Sequence, residues 1–297
     1  MLATSNLALQ ATETGLLPDA AATMLLAVVQ GLTEFLPVSS SGHLVLMEEA
    51  LAQGEPGLVL PIALHLGTLV AVVTVYRAEL AGIVRSFFTG ERRDAWLIAV
   101  GTIPAGLVGV LLHDFFRERF DSGRSAAVGL LATALILYQS DRSRRAAAAR
   151  AAPGPETGTQ TGEAPGLPAP AGRSRLTYLD ALLIGIGQAV AILPGISRSG
   201  TTIAIGMMRG VEPVHAARFS FLLSIPAILG AALLEGTGFL SLGLSGQDLA
   251  LLGWGFGLSA LVGWASLRVL IAFLNRGAFV WFAVYCAVLG VGYLIFV

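Results

Sequence analysis

Twice in this chain, 158 residues apart, an apolar run is broken by a similar polar sequence. The first break runs from Gln30 and Glu34 through Leu36, Pro37 and Val38 to Ser39, Ser40, Ser41, Gly42 and His43. The second runs from Gln188 through Leu193, Pro194, Gly195 and Ile196 to Ser197, Arg198, Ser199, Gly200, Thr201 and Thr202. Superposition aligns Gln30 with Gln188, Ser39 with Ser197, Ser41 with Ser199 and Gly42 with Gly200, with the Leu-Pro pairs one residue out of step. A polar break that recurs once per half of a hydrophobic chain is expected where discontinuous helices meet at a site inside a membrane.

The sequence around the breaks supports a membrane setting. Only 12% of the 297 residues are charged, against about 25% in an ordinary soluble domain. Mean hydropathy is +0.76, and several apolar runs approach the roughly 20 residues that cross a bilayer. The single Cys286 excludes a disulfide framework and a cysteine metal site. Residues 1–17 have no basic start and do not read as a cleaved signal peptide.

A first helix is expected over about 20–36, then a short arm over 42–52. The short arm cannot span a roughly 30 Å core at 1.5 Å per residue, so the pair reads as a re-entrant hairpin. Spans follow near 58–76, 95–113 and 124–140. Residues 141–175, rich in Arg, Ala, Gly and Pro, read as a flexible linker. The second half repeats the plan, with a helix near 177–193, a short arm to about 209, and spans near 214–235, 248–270 and 277–296. The expectation is one all-α integral membrane domain over 1–297, with repeat 1 at 18–140, the linker at 141–175 and repeat 2 at 176–297. Each repeat is a re-entrant hairpin plus three transmembrane helices. Three crossings per repeat invert the second relative to the first, so the two interdigitate.

Every one of the 18 basic residues is Arg, and their placement gives an orientation. On this topology 14 lie on one side, three (Arg117, Arg119, Arg124) on the other, and Arg198 lies inside the second hairpin. Discounting the six in the linker leaves 8 against 3. The Arg-rich side is therefore expected to be cytoplasmic, with both termini and the open side of the first hairpin periplasmic.

Two inverted hairpins would bring the breaks together near mid-membrane. Glu34 and Arg198 are costly there, about 2.5–3.5 kcal/mol each. A bare ion pair does not account for the hydroxyls around them. Ser39, Ser40, Ser41, Ser197, Ser199, Thr201 and Thr202, beside Gly42 and Gly200, suggest backbone and side-chain donors converging on an oxyanion. The short arms aim helix N-termini at the same place, and Arg198 adds a planar fork suited to phosphate. His43 is a candidate for proton transfer or nucleophilic attack, and Ser40 is a candidate nucleophile activated by Glu34 or His43. His65, His113 and His215 lack such company, although His65 is placed where it can line a cavity.

At these residues the chain resembles the BacA-type undecaprenyl-diphosphate phosphatase family, also called UppP. The resemblance rests on Gln30 and Glu34 in an (E/Q)xxxE segment, on Leu36 to His43 in an LPVSS-x-GH run, and on Pro194 to Thr202 in PGxSRSxxT. It implies hydrolysis of the C55 isoprenoid diphosphate carrier at the outer face of the inner membrane, supporting recycling of the cell-wall lipid carrier and bacitracin tolerance. It places Glu34, Ser40, His43 and Arg198 at catalytic positions, and Gln30 and the Ser, Thr and Gly residues of both breaks around the substrate. It also implies a divalent cation, Mg²⁺ or Ca²⁺, on Glu34. Expected partners are the polyprenyl diphosphate and membrane lipid, not nucleic acid, with a homodimer left open. The competing class is a transporter or flippase of polyprenyl phosphate or another anion.

Overall fold

The computed structural model describes residues 17–51, 59–112, 115, 122–151, 172–236, 243–275 and 279–296. Among these residues the chain is helical, without strands; Arg173 and Val211 form an isolated bridge. The first half forms α1 (Ala20–Thr33), α2 (Ser40–Ala50), α3 (Val59–Val75), α4 (Arg77–Thr89), α5 (Arg93–Leu111) and α6 (Gly123–Ala151). The second half forms α7 (Tyr178–Val190), α8 (Arg198–Met208), α9 (Pro213–Gly236), α10 (Gly246–Asn275) and α11 (Phe279–Phe296).

Four of these helices, α5, α9, α10 and α11, are long and apolar enough to cross a membrane. A fifth span results if α3 and α4 are counted together, although they bend by 77° at Tyr76. Large apolar side chains such as Leu107 and Val110 on α5, Leu261 on α10, and Val288 and Ile295 on α11 point out of the bundle. Such a surface suits lipid rather than water. The chain is thus an all-helical, multi-pass membrane protein.

Two segments fall outside the expected spans. Residues 77–89, which fall between the expected spans 58–76 and 95–113, form α4, a helix with no buried residue. Its Arg and Glu residues are spaced among Leu, Ile, Val and Phe, the pattern of a helix lying at an interface. Residues 141–151, expected as the start of the linker, are helical instead, because α6 continues to Ala151. Ala and Arg are strong helix formers, and Asp141 binds Arg144 (3.3 Å) and Arg145 (2.5 Å) one turn on. At the other end of that stretch, Arg173 is held by hydrogen bonds. The remainder, 152–171, lies outside the described residues, as does His113.

The halves are interleaved. Helix α10 packs on α1 and α3, whereas α5 packs on α7 and α9, and α6 packs on α11, α2 and α8. One apolar core joins them, with Phe35 edge-on to Phe221 (5.6 Å) and Tyr76, Leu223, Leu267 and Leu270 alongside. The second pair of arms closes on itself. Asp180, capping α7 through Thr177, accepts from Arg173 (2.6 Å) and from Arg209 at the end of α8 (3.0 Å). The start of α7 and the end of α8 therefore lie side by side.

Candidate active site

The two breaks meet face to face. Ser39 caps α2 by accepting from Gly42 N (3.2 Å), and Ser197 caps α8 by accepting from Gly200 N (3.0 Å). Each cap stops one helix short and starts another, so both short arms present their N-terminal turns at the junction. The glycines permit the approach. A Cβ on Gly42 would lie 3.0 Å from Gly195 Cα, and one on Gly200 would lie 3.2 Å from Pro37 Cβ. Gly195 itself has φ +82°, and a Cβ there would strike Ala126 O of α6. Ser199 Oγ donates to Leu36 O across the junction (3.1 Å). Helix α6 braces it from behind: Thr133 Oγ1 donates to Gly195 O (2.9 Å) and accepts from Ser197 N (2.8 Å).

Glu34, the residue that ends α1, is the hub. Its Oε2 accepts from Gln30 Nε2 (2.9 Å) and from Ser40 Oγ (2.7 Å), and its Oε1 accepts from Arg198 Nη2 (2.5 Å). The carboxylate comes from one break and the guanidinium from the other. Arg198 Nη1 is buried and has no acceptor. An unsatisfied buried donor of that kind costs free energy in the resting state.

Glu34, Ser40 and Arg198 line a cavity of about 330 Å³, together with Ser39, Ser41, Ser197 and His65. Apolar side chains of Pro61, Ile62, Ile192, Ile196 and Ile228 form the rest of the wall, with Glu235 at the end of α9. Polar donors therefore gather in one part of an otherwise apolar cavity, as an amphiphilic ligand requires.

Not every candidate reaches the cavity. His43 Nδ1 donates to Ser39 O (2.8 Å), an acceptor-only group, so Nε2 is left to accept from Tyr285 OH (2.7 Å). Its ring stacks on Tyr285 of α11, away from Glu34. Of the two activators left open for Ser40, only Glu34 is in contact. Ser39 has φ +68°, a left-handed backbone that is costly for a residue with a Cβ. The hydrogen bonds from His43 N and Nδ1 to Ser39 O hold that conformation. Tyr285→Phe is accordingly expected to lower turnover by no more than about tenfold, the effect of one neutral hydrogen bond. A loss on the order of 10³-fold would put His43 Nε2 into the chemistry.

Thr202 also faces away, donating to Arg198 O (2.8 Å) and meeting Ser220 Oγ (2.6 Å). Thr201 Oγ1 is buried without a partner, and Ser199 is committed to Leu36. Gln30 supports Glu34 from behind the cavity wall. The residue that sequence reasoning undervalued is His65 of α3. Its Nδ1 donates to Pro61 O (2.7 Å), so Nε2 is the atom that faces Glu34 Oε2, at 3.6 Å. A protonated Nε2 would place a second positive group against the carboxylate.

A cation on Glu34 would find no protein cage. Among the described residues no three His, Cys, Asp or Glu side chains cluster as metal ligands. Gln30 does not add a ligand there, because its Nε2 faces that carboxylate and the residue lies behind the cavity wall. One carboxylate suits a Mg²⁺ or Ca²⁺ that takes its remaining ligands from water and a substrate phosphate.

A family profile described as "Bacitracin resistance protein BacA" matches residues 23–292. The chain belongs to this family. A protein named "Undecaprenyl-diphosphatase" from Carboxydothermus hydrogenoformans is 38% identical over 277 residues, covering 92% of this chain and 95% of that one. Its namesake from Methanosphaera stadtmanae is 36% identical over 292 residues, covering 92% and 96%. "Undecaprenyl-diphosphatase 2" from Stutzerimonas stutzeri is 38% identical over 276 residues, covering 90% and 94%. The similarity spans both breaks and nearly all helices, so it extends to the whole architecture and is not confined to a shared motif.

Proposed function

We propose that this membrane enzyme hydrolyses undecaprenyl diphosphate to undecaprenyl phosphate and inorganic phosphate, recycling the cell-wall lipid carrier and giving bacitracin tolerance. The relatives' names supply the substrate. The observation that carries the reading to this chain is the Arg198 guanidinium, with Nη2 on Glu34 and Nη1 buried and unpartnered, next to a Ser40 hydroxyl on the same carboxylate.

In this reading the diphosphate enters the polar part of the cavity and the isoprenoid chain leaves along the apolar wall. Ser40 Oγ attacks the terminal phosphorus and its proton passes to Glu34 Oε2. The Oγ–P bond forms as the bond to the polyprenyl phosphate oxygen breaks. Water then attacks the phosphoserine, releasing phosphate and regenerating Ser40. Arg198 and the N–H groups at the starts of α2 and α8 stabilise the charge on the equatorial oxygens. A divalent cation held by Glu34 would supply further charge neutralisation on the diphosphate.

The chain is also read as a pair of interdigitated inverted repeats. The reciprocal packing of α1 on α10 and of α7 on α5 supports this, as does that of α3 on α10 and α9 on α5. With the Arg excess inward, the cavity opens to the periplasm of the inner membrane and both termini lie there. Cys286 is buried, so a Gly158→Cys probe can be read on a Cys286→Ala background. Labelling by an impermeant maleimide is expected only after permeabilisation; labelling of intact cells would reverse the orientation.

The phosphatase reading is tested with purified protein in detergent, where no second compartment exists. Release of inorganic phosphate from undecaprenyl or farnesyl diphosphate with Mg²⁺ or Ca²⁺ present is the expected result. Folded protein that releases none would overturn it.

A further inference from the structure

A second cavity, larger than the one at the two breaks, lies elsewhere in the molecule. It measures about 960 Å³ and lies between the turn before α5, the first turns of α5, residues 174–178 and the first turns of α9. Four guanidinium-bearing residues line it, Arg92, Arg93, Arg175 and Arg218, against the two acidic residues Glu91 and Asp94. Trp96 and Tyr178 frame it and are 59% and 48% exposed. Counting along α9, Arg218 of this cavity and Ala231 of the catalytic one are about 20 Å apart at 1.5 Å per residue. The two cavities thus belong to opposite ends of that helix.

Five arginines among the described residues are neutralised by acidic side chains. Arg144 and Arg145 meet the buried Asp141, Arg173 and Arg209 meet the buried Asp180, and Arg198 meets Glu34. By contrast, Arg92 and Arg93 donate only to the backbone carbonyls of Phe87 and Leu176. Arg175 and the half-buried Arg218 make no side-chain hydrogen bond or ion pair among the described residues. Four guanidinium groups against two carboxylates leave the cavity with an excess of positive charge, and an anion relieves the repulsion among them. The setting selects the kind of anion. The rim carries an exposed Trp and Tyr, the side chains that favour the level of lipid headgroups, and basic pockets between membrane helices bind phosphate headgroups.

We propose that this cavity is a binding site for the phosphate headgroup of an anionic membrane lipid, separate from the catalytic pocket. Arg218 at the wall and Arg175 at the mouth grip the phosphate, with Arg92 and Arg93 beside them, while acyl chains extend past Trp96 into the bilayer. The site lies where α5, α9 and the approach to α7 come together.

The test is a titration of the detergent-purified full chain with phosphatidylglycerol and, separately, phosphatidylcholine, followed by native mass spectrometry. Phosphatidylglycerol is expected to bind more tightly, and an Arg175→Gln/Arg218→Gln variant to bind it about 30-fold more weakly. Arg175→Gln alone, at an exposed residue without partners, is expected to weaken it about fivefold and guards against misfolding of the double variant. Neither residue lines the catalytic pocket, so phosphate release by both variants serves as the folding control. Because the readout is lipid binding, its failure is distinct from a failure of the phosphatase reading. Millimolar inorganic phosphate is expected not to displace the lipid. Displacement at that concentration would make free phosphate the ligand and overturn the lipid assignment, and unchanged lipid affinity in both variants would overturn the site.

Discussion

Arg198→Lys is expected to lower turnover about 10²–10³-fold, as does loss of one preorganised donor to a developing oxyanion elsewhere. Lysine keeps the charge and can still meet Glu34. It lacks the fork that lets one guanidinium hold Glu34 through Nη2 while Nη1 reaches a second anion. The competing explanation is that Arg198 only neutralises Glu34. On that account Lys substitutes with little loss, and Glu34→Gln combined with Arg198→Gln restores much of the activity. On the catalytic account the double variant is no better than the worse single one. Thermal melting must accompany the kinetics, because removing one member of a buried pair costs about 3–5 kcal/mol and can unfold the junction. A well-folded Arg198→Lys enzyme with near-native turnover would sink the phosphate-clamp role.

Ser40→Ala carries the other large effect, a loss of at least about 10³-fold, as expected when a nucleophile is removed and only binding and charge stabilisation remain. If water attacks directly, Ser40 is one hydrogen bond among several and the loss is about tenfold. A second readout separates the routes without relying on rate. Acid quenching during turnover of a substrate labelled in the terminal phosphate should leave acid-stable label on the native protein and none on Ser40→Ala. Label that is lost in acid and retained in base would point to a phosphohistidine, and thus to His43 or His65.

Much of this site was legible in the sequence because the two breaks repeat. Aligning the halves puts Glu34, Ser40 and Arg198 near one point once the second half is inverted, and they do meet. Helix boundaries followed from where apolar runs met Pro, Gly and Ser; Tyr178–Val190 and Phe279–Phe296 fall within a few residues of expectation. Side-chain direction was less accessible. His43 is only three residues past Ser40, yet which face of α2 meets α11 depends on packing between distant segments. Tyr285 looked like any aromatic residue in a lipid-facing run. His65 did carry a signal, since a lone ionisable group in the apolar α3 is costly without a role, but its partner lies 31 residues away on another helix. Helix α4 was hidden because its arginines were read for topology and not for periodicity.

The contact between Glu34 and Arg198 bears on how a turnover ends. The resting guanidinium already holds one carboxylate through Nη2, so a phosphate on Nη1 shares a charge that Glu34 has partly neutralised. Inorganic phosphate, no longer tethered to an isoprenoid tail in the apolar wall, would therefore meet a half-occupied fork and not a bare cation. On this reading the carboxylate from one half of the chain tempers the grip of the other on the small product, so that it leaves.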